Sequence, residues 1–229
     1  MKRLLFFGAV LVAAAGLRAG DLAELNFLGF SEDGARFAYE QFGVQDGSGF
    51  GYSQIYFVDA AKNAWAGPSV AVEDEKGDSL EAVRARARKA AEASLQKFGI
   101  QVGNTGDHLL SHPTTDLGVE DRTAKFRFPS APEPYELRLE ETPVKNAVCV
   151  ERGQPAALLT ATLTTSGNAR VLQKDAALPR SRGACPGGYR VQDVYVFKNT
   201  LAVFLNVYTA GFEGPDMRFL ALGAPLETK

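Results

Sequence analysis

The sequence predicts a mainly β protein, an antiparallel sandwich or twisted meander carrying one amphipathic helix over residues 78–98. Three observations carry that reading. Short apolar or alternating runs follow one another along the chain, bounded by Gly, Pro, Asn and Asp. Only one stretch repeats its apolar residues at helical spacing. The composition, 45% hydrophobic and 23% charged over 229 residues, belongs to a globular chain long enough to bury a sizeable core.

Taken in order, MKRLLFFGAVLVAAAGLRAGD places Lys2 and Arg3 before an uncharged apolar run from Leu4 to Leu17. That run is short for a bilayer span and matches a secretory signal peptide, residues 1–19, with cleavage after Ala19. Residues 20–229 then form one secreted, β-rich domain, expected in the periplasm or outside the cell. No later segment is apolar for long enough to cross a membrane.

LNFLGF (25–30), ARFAYEQF (35–42) and QIYFVD (54–59) read as strands. In the last, Ile55 and Phe57 share one face while Tyr56 and Val58 share the other, the mark of a strand buried on both sides. In DSLEAVRARARKAAEASLQKF (78–98), Leu80, Val83, Ala87, Ala91, Leu95 and Phe98 form an apolar stripe at helical spacing. Asp78 and Glu81 have capping-box spacing, and Gly99 stops the helix. Arg84, Arg86, Arg88 and Lys89 read as its solvated face.

Residues 103–134 read as irregular, with one strand candidate in KFRF (125–128). Their His108 and His112 stand four apart, but Pro113 disfavours the helix that would aim both at one metal. PYELRLEE (134–141) alternates cleanly. AALLTATLTT (156–165) and ARVLQKD (169–175) flank a Ser166-Gly167-Asn168 turn. YRVQDVYVF (189–197), LAVFLNVYT (201–209) and MRFLALG (217–223) complete the strands.

Without residues 1–19, which hold Lys2, Arg3 and Arg18, 22 basic residues face 27 acidic ones, a net charge of −5. Such a chain has no electrostatic reason to bind nucleic acid. Its two cysteines, Cys149 and Cys185, in an oxidising compartment point to one disulfide.

Two glycine-rich acidic loops stand out, FGVQDGSGFGYS (42–53) and AGFEGPD (210–216). Strand, tight turn, strand, acidic loop and strand describe both 25–59 and 189–222, which would set the loops at equivalent corners. Gly47, Gly49 and Gly51 are expected to admit positive φ, Gly214 to shape the second loop, and Phe50 and Phe212 to pin the loops to the core. Asp46 would cap the first turn. Asp46, Glu213 and Asp216 are the candidate ligand or metal residues, because carboxylates on glycine-rich backbone suit Ca²⁺. They fall short of the DxDxDG calcium pattern. Signatures of nucleophilic, zinc and nucleotide enzymes are absent; SxxK at Ser94–Lys97 lacks its KTG partner.

GFSEDGARFAYEQ (29–41) resembles the hairpin of TolB-type β-propeller repeats, in one copy where a propeller needs about four or more blades. More broadly, FLGFSEDGARFAYEQFGVQDGSGFGYSQIYFVD, VGNTGDHLL, LPRSRGACPGGYRV and AGFEGPDMRFLAL together resemble a bacterial family of predicted secreted proteins classified as a domain of unknown function. The resemblance implies export and a single domain, and brings no activity or catalytic residue with it. The reading that results is an exported, non-enzymatic module binding a small ligand or an envelope protein. The alternatives are a carboxylate-dependent envelope hydrolase using Asp46, Glu213 and Asp216, and a Ca²⁺-stabilised structural domain.

Overall fold

The structure is a computed structural model and describes residues 20–113, 122–127, 133–183, 185–211 and 214–226. The expected signal peptide, Phe212 and Glu213 lie outside the described residues. Strand-forming runs fold where the sequence places them, and they assemble into three antiparallel sheets stacked beneath one long helix.

The front sheet holds β1 (Glu24–Phe30), β2 (Arg36–Val44) and β3 (Gly51–Asp59), with two short strands, β4 (Ala64–Trp65) and β5 (Val70–Glu73), paired to β3. Its outer face carries α1 (Leu80–Lys97), whose Ala87 and Ala91 pack on Leu28, Ala38, Ile55 and Phe57. The inner face of the front sheet presents Phe27, Phe30, Phe37 and Tyr39 to Phe204, Met217 and Phe219 of the central sheet. That central sheet runs β13 (Pro215–Pro225), β12 (Thr200–Ala210), β11 (Pro186–Phe197) and β6 (Asp107–Ser111). Behind it lies the back sheet of β10 (Asn168–Lys174), β9 (Ala157–Thr165), β8 (Tyr135–Pro143) and β7 (Thr123–Phe126).

Because the central sheet is covered on both faces, the stretch 201–205 of β12 reads as an unbroken apolar run. Alternation divides it: Ala202 and Phe204 turn to the front core, while Leu201, Val203, Leu205 and Val207 turn to the back core. In β11 a register shift between Val191 and Asp193 lets Val191, Val194 and Val196 all reach the back core. The two meanders β1–β2–β3 and β11–β12–β13 stack face to face. Their tight turns meet at one end, where Lys198 Nζ donates to the Glu32 carbonyl at 2.7 Å.

The helix starts one residue later than expected. Ser79, in extended backbone conformation, is the cap, its hydroxyl accepting the Ala82 N–H at 3.3 Å, while Asp78 pairs with Arg86. The expected solvated face is also revised. Arg84 and Arg88 reach down to Glu40 in β2, exposed Arg86 pairs with Asp78, and Lys89 is exposed with no ion pair among the described residues. A carboxylate buried in β2 demands a counter-charge, and the overlying helix face is the element that supplies it. In the stretch read as irregular, Asp107–Ser111 forms the edge strand β6 on β11. A half-exposed edge strand carries little alternation, so only its partner reveals it. His108 bonds Asp193 through Nε2 at 2.8 Å, and His112 meets the Val191 carbonyl through Nδ1 at 2.9 Å. The imidazoles thus serve separate partners.

The expected disulfide is present: Cys149, on the short helix α2 (Ala147–Glu151), is bonded to Cys185 at the entry to β11.

Candidate functional site

The first glycine-rich loop is a self-contained turn. Gln45 N–H donates to the Phe50 carbonyl at 2.9 Å, and Gly49 N–H to the Gln45 carbonyl at 3.1 Å. The Ser48 hydroxyl donates to Gln45 Oε1 at 3.0 Å and accepts the Phe50 N–H. Side-chain capping thus falls to Ser48 and Gln45, while Asp46 stands exposed. Gly47 and Gly49 have φ of 87° and 71°, and a Cβ on either would meet nothing within 4 Å. Their role is backbone shape. Phe50 is 38% exposed, so its ring does not anchor the loop as expected.

The second loop is tied into the fold through Asp216, whose Oδ1 accepts the Asp21 N–H at 3.0 Å. Gly214 contributes its carbonyl, which accepts the Gly211 N–H at 2.9 Å. Asp21 is the hub of this corner. It accepts from the Tyr52 hydroxyl at 3.0 Å and pairs with Arg218, whose guanidinium lies 4.8 Å from the Tyr52 ring centroid. Burial is the main influence raising the Tyr52 hydroxyl's pKa, so it remains a donor at neutral pH. Of the three carboxylates singled out from sequence, Asp216 is therefore a clamp, Asp46 is on an open turn, and Glu213 lies outside the described residues. Among the described residues no three His, Cys, Asp or Glu side chains are grouped to hold a metal ion.

A second buried polar centre lies beneath α1. Glu40 is fully buried and accepts from Asn26 Nδ2 at 2.8 Å, Ser53 Oγ at 2.9 Å, and Arg84 Nε and Nη2 at 3.0 Å each. Arg88 adds a longer contact at 3.3 Å. Burial is the largest single influence and works against ionisation. The bonds from Arg84, Asn26 and Ser53 together outweigh it and hold the carboxyl below the usual glutamate range. Every oxygen is satisfied and covered by the helix, so this centre docks α1 and offers nothing to a ligand.

Among the described residues, two surface clefts bear on ligand binding. The larger, about 510 Å³, lies between the SEDG turn and the end of α1 and mixes Glu32 and Asp33 with Arg36, Lys97 and Lys198. Its polar groups hold the turn itself. Asp33, kept below the usual carboxylate range first by the Ser31 hydroxyl and then by the Ala35 N–H, is a turn cap.

The smaller, about 250 Å³, sits where all three sheets meet. Trp65 forms one wall. It is 45% exposed, and its ring lies 5.0 Å from that of Tyr56, which stacks in turn on buried Tyr39 at 5.1 Å. This aromatic ladder runs from the core to the surface and holds the indole in place. Half-buried Leu220 adds apolar surface, with the buried Val58 and Leu222 beneath it.

Asn63, at φ 47°, knots the three sheets together. Its Oδ1 accepts the Gly223 N–H at 2.9 Å, and its Nδ2 donates to the Leu172 carbonyl at 2.8 Å and to Gln173 Oε1 at 3.2 Å. Across the cleft, Arg182 comes from the 3-10 turn Arg180–Arg182 and is forked on Asp175, with Nη1–Oδ2 at 2.5 Å and Nη2–Oδ1 at 3.0 Å. The two side chains are 6% and 1% exposed, yet Arg182 Nε has no hydrogen-bond partner. A buried donor left unmade costs about 1–3 kcal/mol, more on a charged group, so such an atom calls for an explanation.

Neither Trp65 nor the Asp175–Arg182 pair stands out in the sequence. The one available signal is that the chain's single tryptophan lies in the turn-rich stretch KNAWAGP and outside any apolar run.

Together these features define a mainly β protein whose surface carries a small cleft walled by an aromatic ring and a largely buried guanidinium. The profile of the family described as "Predicted secreted protein (DUF2259)" matches residues 38–224, and the chain belongs to that family. The match spans β2 to nearly the end of β13 and includes Trp65, Asp175 and Arg182. The family's description names secretion and no activity. No curated protein matches the chain. Among the described residues no helix is long and apolar enough to cross a membrane.

Proposed function

We propose that the protein is an exported, non-enzymatic binding module acting in the periplasm or outside the cell, with residues 1–19 as its signal peptide and the Trp65 cleft as its recognition site. One observation carries the reading: a half-exposed, rigidly backed tryptophan walls a small cleft that also presents the exposed Ser181 hydroxyl. Concave sites that combine apolar surface with a few placed polar groups are where small ligands bind. The cleft's described lining contains no carboxylate or imidazole, which favours binding over acid–base chemistry there. The rival hydrolase draws no comparable support from the loop corner, since Asp216 is already committed to the Asp21 N–H.

The test is a thermal-shift screen of a small-molecule library on the mature, disulfide-bonded protein and on its Trp65→Ala variant. Compounds that raise the Tm of the parent and leave the variant unmoved support the reading. A library whose hits all shift both proteins equally, or that yields no hits, overturns it.

A further inference from the structure

We infer that the ligand of the Trp65 cleft is an uncharged saccharide ring, an inference that rests on the cleft being the binding site. Size is the first argument. At about 250 Å³ the cleft falls below the ~300–1,000 Å³ of sites for drug-sized molecules, so it suits a single ring.

Charge is the second argument. Among the described residues Arg182 is the only charged one lining the cleft, and both terminal nitrogens of its guanidinium are bonded to Asp175. The pair is close to neutral, and a ligand bearing net charge would lose hydration without meeting an unpaired counter-charge.

The third argument is the chemistry of the walls. An aromatic face carries negative charge density and its indole edge a donor N–H, so Trp65 complements the weakly positive C–H face of a pyranose. The hydroxyls at the rim of that ring both donate and accept, as needed to meet the exposed Ser181 hydroxyl. A purely apolar ring would cover Trp65 but leave the exposed Ser181 hydroxyl unanswered. A quaternary ammonium would sit beside a guanidinium.

The side-chain amides of Asn63 and Gln173 are already committed, to Gly223 and Leu172 and to Asp175. Few new bonds are therefore available, and a ligand of roughly a dozen heavy atoms is expected to bind with about millimolar affinity.

Trp65 is the only tryptophan in the chain, so its fluorescence reports this cleft alone. The mature, disulfide-bonded protein is titrated with glucose, galactose and N-acetylglucosamine. Glucuronate is the charged counterpart, and cyclohexanol and a blocked dipeptide are non-sugar probes. The expected result is a saturable emission change with at least one neutral sugar, at least fivefold weaker with glucuronate. Calorimetry on Trp65→Ala, chosen because a half-exposed residue can be truncated without unfolding the protein, should show at least a tenfold loss. Response to glucuronate, cyclohexanol or the dipeptide with none to the neutral sugars overturns the saccharide inference and leaves the binding cleft standing. Sugar binding that survives Trp65→Ala, or no response to any probe, overturns both.

Discussion

Arg84→Ala should destabilise the protein severely, and should reverse the pH dependence that Glu40 imposes. Glu40 is fully buried, and Arg84, only 17% exposed, gives it two bonds of 3.0 Å while stacking 3.5 Å over the Phe42 ring. Removing the arginine leaves a buried carboxylate with Asn26, Ser53 and one longer contact to Arg88. Breaking a buried pair in this way costs about 3–5 kcal/mol. Arg88→Ala, at a side chain 40% exposed and 3.3 Å away, should cost about 1 kcal/mol or less.

The signs differ with pH. In the parent, Glu40's carboxyl is held below its unfolded value. Its stabilisation is therefore complete above the ordinary glutamate pKa of about 4.3 and is lost as pH falls through the lower folded value. In Arg84→Ala, burial dominates and raises the folded pKa above the unfolded one. That variant should gain stability as pH falls from 7 to 5, while the parent stays flat. Urea unfolding of the mature protein at both pH values measures this. Equal losses for the two arginine variants, or a pH-independent deficit in Arg84→Ala, would refute the account of Glu40 as an ionised, helix-docking carboxylate.

Three further outcomes are expected. Reducing Cys149–Cys185, which closes a sequence separation of 36, should cost about 4 kcal/mol on the chain-entropy argument, and a denaturation midpoint unmoved by reductant would contradict it. Tyr52→Phe removes the bond to Asp21 and should cost about 1–2 kcal/mol, with faster hydrogen exchange at the Ala23 amide, which donates to the Met217 carbonyl; unchanged exchange there would count against Asp21 as the hub. Asn63→Gly should cost about 2 kcal/mol by cutting the three-sheet knot, and Asn63→Ala about 1 kcal/mol more because its φ is 47°; the opposite order in urea melts would show that the backbone conformation is not the constraint.

Much of the fold was legible locally. Ile55 and Phe57 do face the helix side, with Tyr56 and Val58 on the other face, because a period of two tells which side chains share a side. The Leu80–Phe98 stripe and Gly99 delimit α1 to within two residues at each end, since both signals act within a turn. The disulfide followed from two cysteines in an exported chain. The candidate site was hardly legible: Trp65 and Arg182 are far apart in the chain, and nothing near either points to the other.

What the sequence by itself determined is thus the longer strands, the helix and the disulfide, read from periodicity, composition and local motif; the short strands β4, β5 and β6 escaped it. Tertiary structure alone decided that the sheets number three, that Glu40 draws the helix's arginines inward, and that Asn63, Trp65 and Arg182 meet at one cleft. The reason is physical. Alternation records that a face is buried but not what buries it, and the partner of a buried charge or an orphaned N–H is set by which sheets stack, a matter of contacts between residues more than a hundred positions apart.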